Sequence, residues 1–388
     1  MRYSMDVQWK LLLLPFASML SSSLCAPLQP SSPGLMGNCY DYEIPVITQT
    51  QAQIFGLPKF SDNFDVSGLF GNLIKRTPFN PFAGTQNVTG NYTISATFCS
   101  PKTLNGHEKT VLLATSGLGY DSRYWAPSMN PAAYSFVDYT LSRGYSIFVY
   151  DRLGTGKSTK SAVSGYSDPQ ASTQLAILKS LTDDLKKGLY AGDIGQPSKI
   201  VHIGHSYGSI LTHTLVSTYP NISDGIVLTG QTTNVTDFPA FFEAARLDIA
   251  NTVSPGKYQG LDSGYLVYAD IIGNAAAFFH PGNYDKEILW YTQDIAQPSA
   301  IMEFITGQPK DLGSTEFTGP VMVVNGEFDG GNCAGDCNGV TESNKEMFKL
   351  ASAFEAVVQP GAGHAINFCF NATGAYSAIM DFVTKNGL

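Results

Sequence analysis

Alternating and continuously apolar stretches follow one another along most of the chain. YEIPVITQTQ (42–51) and NYTISATFCSP (91–101) alternate apolar and polar residues, as half-buried strands do. Later runs are apolar on both faces, which predicts central strands of a parallel sheet covered by helices; they are TVLLATSG, YSIFVYD, KIVHIGHS, GIVLTG, PVMVVNGEFD and FEAVVQPGAGH. Helical patterns such as STQLAILKSLTDDLKKGLY, from Ser172, separate most of them. The order indicates an α/β fold with a mostly parallel central sheet and right-handed crossovers.

The interval between GIVLTG and PVMVVNGEFD breaks this rhythm, because it is long and shows no clear strand. Three helix-like segments occur in it: FPAFFEAARLDIANT, YLVYADIIGNAAAFF and KEILWYTQDIA. A connection of this length is far beyond the usual loop, so it is predicted to be an inserted helical layer. We expect most of its aromatic rings to pack within the insertion and a few to line a cavity below it; the rings are Phe241, Phe242, Tyr265, Tyr268, Phe278, Phe279, Trp290 and Tyr291.

The first 25 residues have the pattern of a signal peptide. Arg2 and Lys10 stand before the apolar run LLLLPFASML, and the small residues of SSSLCAP follow it. The run is too short to span a bilayer comfortably, and cleavage is expected near Cys25 or Ala26. An uncleaved anchor is the alternative. No later stretch reaches the length of a membrane span, so we expect a secreted, extracellular protein without a stable membrane span.

Glycosylation sites and cysteines fit secretion. The chain has five N-x-[ST] sequons for N-glycosylation, at Asn87, Asn91, Asn221, Asn234 and Asn371. Each of them alone is weak evidence. Loss of Cys25 with the signal peptide would leave five cysteines, enough for two disulfides and one free thiol. Cys333 and Cys337 are close enough to close a small ring, although the pairing does not follow from the sequence. No metal site is expected there, because no histidine stands at ligand spacing and secreted cysteines usually oxidise.

The composition and two glycine-rich motifs argue against a nucleic-acid-binding or nucleotide-binding protein. The chain of 388 residues is 43% hydrophobic and carries a formal net charge of −9, without a run of Lys or Arg. That argues against a nucleic-acid partner, and the acidity is interpreted as favouring solubility. YDRLGTGKS resembles a phosphate-binding loop, but Asp151 occupies the position of its first glycine. GLGYDS, from Gly117, imitates a dinucleotide fingerprint but has Ser122 where the final glycine or alanine should stand. No cofactor is therefore expected.

The segment Gly204-His205-Ser206-Tyr207-Gly208 carries the sharpest chemical signal. It matches G-x-S-x-G between a buried strand and the helical pattern SILTHTLVSTY, which is the setting of a nucleophile elbow. The two glycines allow strand and helix to approach closely. The motif favours Ser206 as a nucleophile, with a purely structural serine as the alternative.

A nucleophilic serine needs a base, and the base needs a carboxylate that orients it. His364 follows the last strand in QPGAGHAINF and is the predicted base, whereas His205 is expected to point to the opposite side. The remaining histidines are placed less well; they are His107, His202, His213 and His280. VVNGEFDGG offers Asp329, which lies further into its loop and is the predicted acid. Glu327 is the alternative.

With these motifs the chain resembles cap-bearing α/β-hydrolases, and secreted fungal members in particular, over nearly all of its mature sequence. The order Ser206, Asp329, His364 agrees with that family. The resemblance implies that LATSGLGYDSRYW is the oxyanion loop, with Ser116 where the family usually has histidine. The backbone N–H groups of Leu118 and Tyr207 would then hold the oxyanion.

The resemblance also implies an organisation and an activity. Together with the signal pattern and the long interval between the apolar runs, it divides the chain into a signal peptide over 1–25, hydrolase core over 26–230 and 319–388, and a helical cap over 231–318. DRLGTGKS resembles a family segment in which Asp151 and Arg152 would brace loops near the elbow, and Lys157 and Ser158 would hold no phosphate or magnesium.

The expected function is that of a secreted serine hydrolase that cleaves an ester or lactone of an apolar small molecule through an acyl-enzyme. Aminopeptidase, acyltransferase and secondary-metabolite tailoring activities are alternatives on the same triad. A non-catalytic binding protein is a further alternative. A serine nucleophile argues against the epoxide hydrolases and dehalogenases of this fold, which have aspartate there. The oligomeric state is left open.

Overall fold

The structure is a computed structural model that describes residues 36–75, 77–233, 238–308, 312–313 and 315–388. The predicted signal peptide and the sequon at Asn234 lie outside the described residues. The strands are β1 (Gly37–Phe55), β2 (Phe82–Pro101), β3 (Thr110–Thr115), β4 (Ser146–Tyr150), β5 (Lys199–His205), β6 (Gly225–Thr229), β7 (Leu247–Ile249), β8 (Tyr265–Tyr268), β9 (Ser299–Ala300), β10 (Val321–Gly326) and β11 (Phe354–Gln359).

The helices lie mostly between these strands. They are α1 (Asn63–Leu73), α2 (Pro131–Tyr134), α3 (Phe136–Ser142), α4 (Ala171–Lys186), α5 (Tyr207–Thr218), α6 (Phe238–Ala245), α7 (Ala250–Val253), α8 (Ile271–Phe278), α9 (Lys286–Ile295), α10 (Ile301–Thr306), α11 (Gly330–Cys333) and α12 (Ala372–Lys385). Short 3₁₀ turns occupy Ser122–Tyr124, Thr341–Met347 and Ile366–Phe368.

In the described part of the chain, eight strands form the main sheet in the order β1-β2-β4-β3-β5-β6-β10-β11. The six from β4 to β11 in this order are parallel, whereas β2 pairs antiparallel with both β1 and β4. The mostly parallel sheet predicted from the apolar runs is confirmed. Because the strands are parallel, the loops after β3, β5, β10 and β11 emerge at one edge of the sheet.

Apolar side chains on both faces of the central strands explain why these runs form the middle of the sheet. In β3, Leu112 and Ala114 belong to the apolar cluster on one face, and Val111 and Leu113 to the cluster on the other. All residues of β3 are buried. A strand that is apolar on both faces stays out of water only when helices cover both sides, as they do here.

The insertion between β6 and β10 differs from the purely helical layer expected. It contains α6 to α10, but β7, β8 and β9 also form a small antiparallel sheet within it. The segments LDI and YLVY, which the sequence assigned to longer helices, are strands. Strands of two to four residues are too short to show alternation in a sequence window, so tertiary pairing decides their conformation.

The connection between β1 and β2 carries α1, which packs against β7 and α6 of the insertion. Asn63 at the start of α1 accepts a hydrogen bond from the backbone N–H of Ile249, at 2.9 Å. The N-terminal hairpin therefore supports the insertion.

Two disulfides join the described cysteines, Cys39 with Cys99 and Cys333 with Cys337. Cys39 and Cys99 stand directly opposite each other on β1 and β2. Cys369 is a free, buried thiol, so the expected two disulfides and one thiol are present. In the part of the chain that the structure describes, no helix combines the length and apolar character needed to cross a membrane.

Candidate active site

Ser206 stands in a strained turn between β5 and α5. Its φ of 53° lies in the left-handed region that a residue with a side chain rarely adopts. The neighbouring glycines make the turn possible: a Cβ on Gly204 would lie 2.4 Å from the backbone of Gly208, and one on Gly208 would lie 2.1 Å from the carbonyl oxygen of Thr115. Strand, helix and β3 therefore meet too closely for side chains, and the turn presents the hydroxyl at the sheet edge.

His364 and Asp329 reach this hydroxyl from the loops after β11 and β10. Nε2 of His364 lies 2.9 Å from Oγ of Ser206, and Nδ1 lies 2.7 Å from Oδ2 of Asp329. Both distances are within hydrogen-bond range. The structure thus brings together the three side chains that the sequence singled out, although they are widely separated along the chain.

Asp329 is completely buried and held on both oxygens. Oδ1 accepts the backbone N–H groups of Gly331 and Asn332 and so caps α11, while Oδ2 accepts the side-chain amide of Asn332 and faces His364. Burial by itself raises the pKa of Asp329, but His364 and the hydrogen bonds outweigh it and hold that pKa below its ordinary value. An ionised carboxylate therefore faces Nδ1. Asn332 was not anticipated from the sequence.

Glu327 lies elsewhere in the same loop. Its Oε2 accepts the backbone N–H of Gly361 at 2.8 Å, so the side chain ties the β10 loop to the turn before His364. The contact that the structure gives Glu327 is therefore a structural one between two loops.

His205 does not point away from the site as expected. Its ring lies 5.0 Å from the ring of His364 and stacks on Tyr124 at 4.2 Å. The expectation was wrong because His205 keeps the regular alternation of β5, and the loop after β11 brings His364 to the face on which Val201, Ile203 and His205 lie. Nδ1 of His205 lies 3.1 Å from the hydroxyl of Thr229. Burial, with His364 as a second cause, lowers the pKa of His205 well below its ordinary value, so the ring is neutral.

The remaining histidines have partners away from Ser206. His202 lies between the hydroxyls of Thr182 and Ser223. His213 contacts the carbonyl of Gly313, His107 stacks on Tyr145, and His280 stacks on Phe328; the ring pairs are 4.7 and 3.7 Å apart.

The loop after β3 passes directly beside Ser206, since a Cβ on Gly117 would lie 2.9 Å from the Cβ of Ser206. Leu118 and Tyr207 both line the cavity at Ser206. Tyr207 is the first residue of α5, where a helix leaves backbone N–H groups without intrahelical acceptors. Among the described residues, the N–H of Leu118 has no hydrogen-bond acceptor.

The side chain of Arg152 supports the loop after β3 by hydrogen bonds to its backbone. The fully buried guanidinium donates to the carbonyl oxygens of Ser116 and Gly117 at 2.9 and 2.7 Å. It also lies 3.2 Å from the carboxylate of Glu303, which is equally buried and belongs to α10 in the insertion. Burial raises the pKa of Glu303, while Arg152 and the hydrogen bonds to it oppose that rise.

The stretch that imitates a phosphate-binding loop is occupied by contacts within the protein. Oδ1 of Asp151 accepts the N–H of Ser122, and Oδ2 accepts the N–H of Lys157. The hydroxyl of Ser158 donates to the carbonyl oxygen of Asp151 at 2.6 Å. These contacts tie the loop after β4 to the loop after β3. In the described ranges, no three His, Cys, Asp or Glu side chains come together as a metal site.

The cavity at Ser206 is apolar and small. Its volume is about 20 Å³, the space of roughly one water molecule. The rings of Phe241, Phe242, Phe278 and Phe304, all from the insertion, line it together with core residues. As expected from the sequence, only a few of the aromatic residues of the insertion reach the cavity.

Comparisons with known proteins agree with this fold. The solved structure titled "Putative non-heme bromoperoxidase BpoC" from Mycobacterium tuberculosis H37Rv is 16% identical and has a TM-score of 0.50; the match covers 76% of this chain and 96% of that one. A hydrolase from Pseudomonas aeruginosa PA01 is 14% identical, also with a TM-score of 0.50, and the match covers 75% of this chain and 94% of that one. These likenesses show the fold.

A curated relative and a family model extend the comparison. The protein named "Putative carbamate hydrolase RutD" of Stutzerimonas stutzeri (strain A1501) is 27% identical over 161 residues, which are 42% of this chain and 52% of the relative. The chain thus spans about half the length of the curated relative it matches. The model described as "Alpha/beta hydrolase family" matches residues 111–371, which include the elbow and both loops after β10 and β11. The chain therefore belongs to the alpha/beta hydrolase family.

Proposed function

We propose that the protein is a secreted serine hydrolase that cleaves an ester or lactone of an apolar small molecule through an acyl-enzyme. The observation that carries this proposal is the hydrogen-bonded chain from Ser206 through His364 to Asp329, with 2.9 and 2.7 Å between successive groups. The ionised Asp329 keeps the proton of His364 on Nδ1, so Nε2 can accept the proton of the serine hydroxyl.

The reaction follows from these positions. Oγ of Ser206 attacks the acyl carbonyl while its proton passes to Nε2 of His364. The backbone N–H groups of Leu118 and Tyr207 stabilise the negative charge on the carbonyl oxygen. As the tetrahedral intermediate collapses, Nε2 returns the proton to the leaving oxygen. Water then attacks the acyl-serine by the same route and regenerates the hydroxyl.

The apolar cavity favours an ester or lactone whose acyl group is uncharged over one whose acyl group is anionic. Its rings offer apolar contact and few polar groups, which suits a short aliphatic or aromatic acyl chain. A carbamate is the competing bond, since the curated relative is named for carbamate hydrolysis. Phenyl N-methylcarbamate beside phenyl acetate in one assay separates the two.

Secretion, glycosylation and the division into core and insertion belong to the same proposal. The four described sequon asparagines are exposed; they are Asn87, Asn91, Asn221 and Asn371. The two disulfides suit an oxidising compartment. We assign 26–230 and 319–388 to the hydrolase core and 231–318 to the cap.

Incubation with a fluorophosphonate probe, followed by a panel of p-nitrophenyl esters of increasing chain length, tests the proposal. Wild-type protein should be labelled and should prefer short acyl chains. Purified protein that neither reacts with the probe nor hydrolyses any ester would refute it.

A further inference from the structure

A second depression lies outside the Ser206 cavity, between α1 of the N-terminal hairpin and the α6–β7 segment of the insertion. Its volume is about 380 Å³, far larger than the 20 Å³ beside Ser206. Asn63 and Ser67 of α1 line one side, and Glu243, Arg246 and Asp248 line the other. We call it the α1–α6 groove.

The ring of Phe242 separates the two spaces, because it lines both of them. It packs on Phe70, which belongs to the groove, with 5.2 Å between ring centroids. It also packs on Phe304, which belongs to the cavity, at 5.3 Å. The wall between Ser206 and the groove is therefore about one aromatic ring thick.

The cavity is too small for both halves of an ester. A volume of about 20 Å³ holds roughly one water molecule, so even a short acyl group fills it and the leaving group must lie elsewhere. His364 must reach the leaving oxygen to protonate it. Phe241 lies 5.2 Å from the His364 ring and precedes Phe242 on α6. The helix α6 therefore connects the surroundings of His364 with the wall of the groove.

The groove differs from the cavity in chemistry. Glu243 and Asp248 bring two carboxylates to its lining; the guanidinium of Arg246 is paired with Asp270 at 2.8 Å and also attracts Asp248, so the carboxylates outnumber the cation. The side-chain N–H₂ of Asn63, whose oxygen accepts the N–H of Ile249, and the hydroxyl of Ser67 add hydrogen-bonding groups. The excess of negative charge favours a cationic or neutral, hydrogen-bonding ligand over an anionic one.

We propose that the α1–α6 groove binds the leaving group of the substrate, that it selects neutral or cationic alcohols against anionic ones, and that the ring of Phe242 must turn aside to admit them. This inference rests on the proposed serine hydrolase function. The preferred substrate then has a short apolar acyl group and a polar, hydroxyl- or amine-bearing alcohol.

Charge selection is tested with three acetyl esters that differ in the leaving group: phenyl acetate, 4-acetoxybenzoate and 3-acetoxy-N,N,N-trimethylanilinium. The double variant Glu243→Gln/Asp248→Asn should raise kcat/KM for the anionic ester relative to phenyl acetate by about fivefold at low salt, and lower the relative value for the cationic ester. Glu342→Gln removes one exposed carboxylate outside both linings and is the control. A ratio unchanged in the double variant, or changed equally in the control, would overturn the charge assignment.

The role of Phe242 is tested with 1-naphthyl acetate and phenyl acetate. Phe242→Ala and the milder Phe242→Leu should both raise kcat/KM for the bulky leaving group relative to phenyl acetate, by about tenfold in the alanine variant. Ile210→Ala, which enlarges the cavity from its α5 side and removes no groove residue, should instead raise the preference for phenyl butyrate over phenyl acetate. If neither Phe242 variant changes the naphthyl-to-phenyl ratio, the groove is not the leaving-group site.

The two proposals fail in different ways. Wild-type protein that is inert to phenyl acetate and to the fluorophosphonate probe refutes the hydrolase and with it the groove. Active, labelled protein whose leaving-group ratios ignore these substitutions refutes the groove alone.

Discussion

Replacing Asp329 by asparagine should disable the reaction through the tautomer of His364. Oδ1 of Asp329 accepts two backbone N–H groups, at 2.9 and 3.0 Å, and an asparagine would keep its oxygen there. The new Nδ2 then occupies the position that lies 2.7 Å from Nδ1 of His364. Because Nδ2 donates, Nδ1 must accept, and the imidazole proton moves to Nε2, which faces Ser206 and can no longer act as a base.

The magnitude follows from that change of tautomer. In the serine protease template the same substitution lowers kcat by about 10⁴-fold, which corresponds to about 5.5 kcal/mol of transition-state stabilisation. We expect a loss of at least about 10³-fold in kcat with a small change in KM, because Asp329 is buried beneath His364 and does not line the Ser206 cavity. The retained hydrogen bonds at Oδ1 should keep the variant folded.

Steady-state kinetics on phenyl acetate, with thermal unfolding of each variant, measure this effect. Glu327→Gln is the matched control, because glutamine keeps the oxygen that accepts the N–H of Gly361; its kcat should stay within about threefold of wild type. An Asp329→Asn protein within tenfold of wild type, or a Glu327→Gln protein that is the crippled one, would refute the assignment of the acid.

Three other outcomes are expected. Arg152→Met should cost about 3–5 kcal/mol of stability, because it leaves the buried Glu303 uncompensated. Burial raises the pKa of Glu303 and Arg152 opposes that rise, so the pKa should be higher still in the variant, and the loss measured by urea unfolding should be larger at pH 8 than at pH 5. Equal losses at the two pH values would contradict this. Burial lowers the pKa of His202 to about 3, so the free energy of unfolding should fall as the pH drops below the unfolded pKa near 6.5. His202→Gln should remove up to about 1.4 kcal/mol per pH unit of that slope. An unchanged slope would argue against a neutral ring. Replacing Cys333 and Cys337 by alanine should remove about 2 kcal/mol of stability and lower kcat several-fold, since the disulfide stiffens the loop that carries Asp329. An unchanged kcat would show that the disulfide does not support the active site.

The elements that the sequence predicted well are those whose pattern is local. Each apolar run became a strand, and the segment from Ser172 became α4, because burial on two faces or on one helical stripe leaves a direct trace in residue order. The elbow was recognisable for a similar reason: Gly204 and Gly208 are required by close backbone approach at fixed spacing.

Long-range contacts left no such trace. The partner of Arg152 is Glu303, 151 residues away, and nothing in either neighbourhood points to the other. The small sheet of the insertion depends on pairing between β7, β8 and β9, which are each too short to show a period. The position of His205 beside His364 depends on the loop after β11, which brings His364 to the face of β5 that His205 occupies, and the sequence of β5 carries no sign of that contact.

Mapping the covalent adduct of a fluorophosphonate probe tests the proposed mechanism most directly. Tryptic peptides of labelled wild-type protein should carry one adduct, on Ser206, and a Ser206→Ala protein with the same melting temperature should carry none and hydrolyse no ester. An adduct on a different residue, or normal turnover by the folded Ser206→Ala protein, would contradict the proposal that Ser206 is the nucleophile.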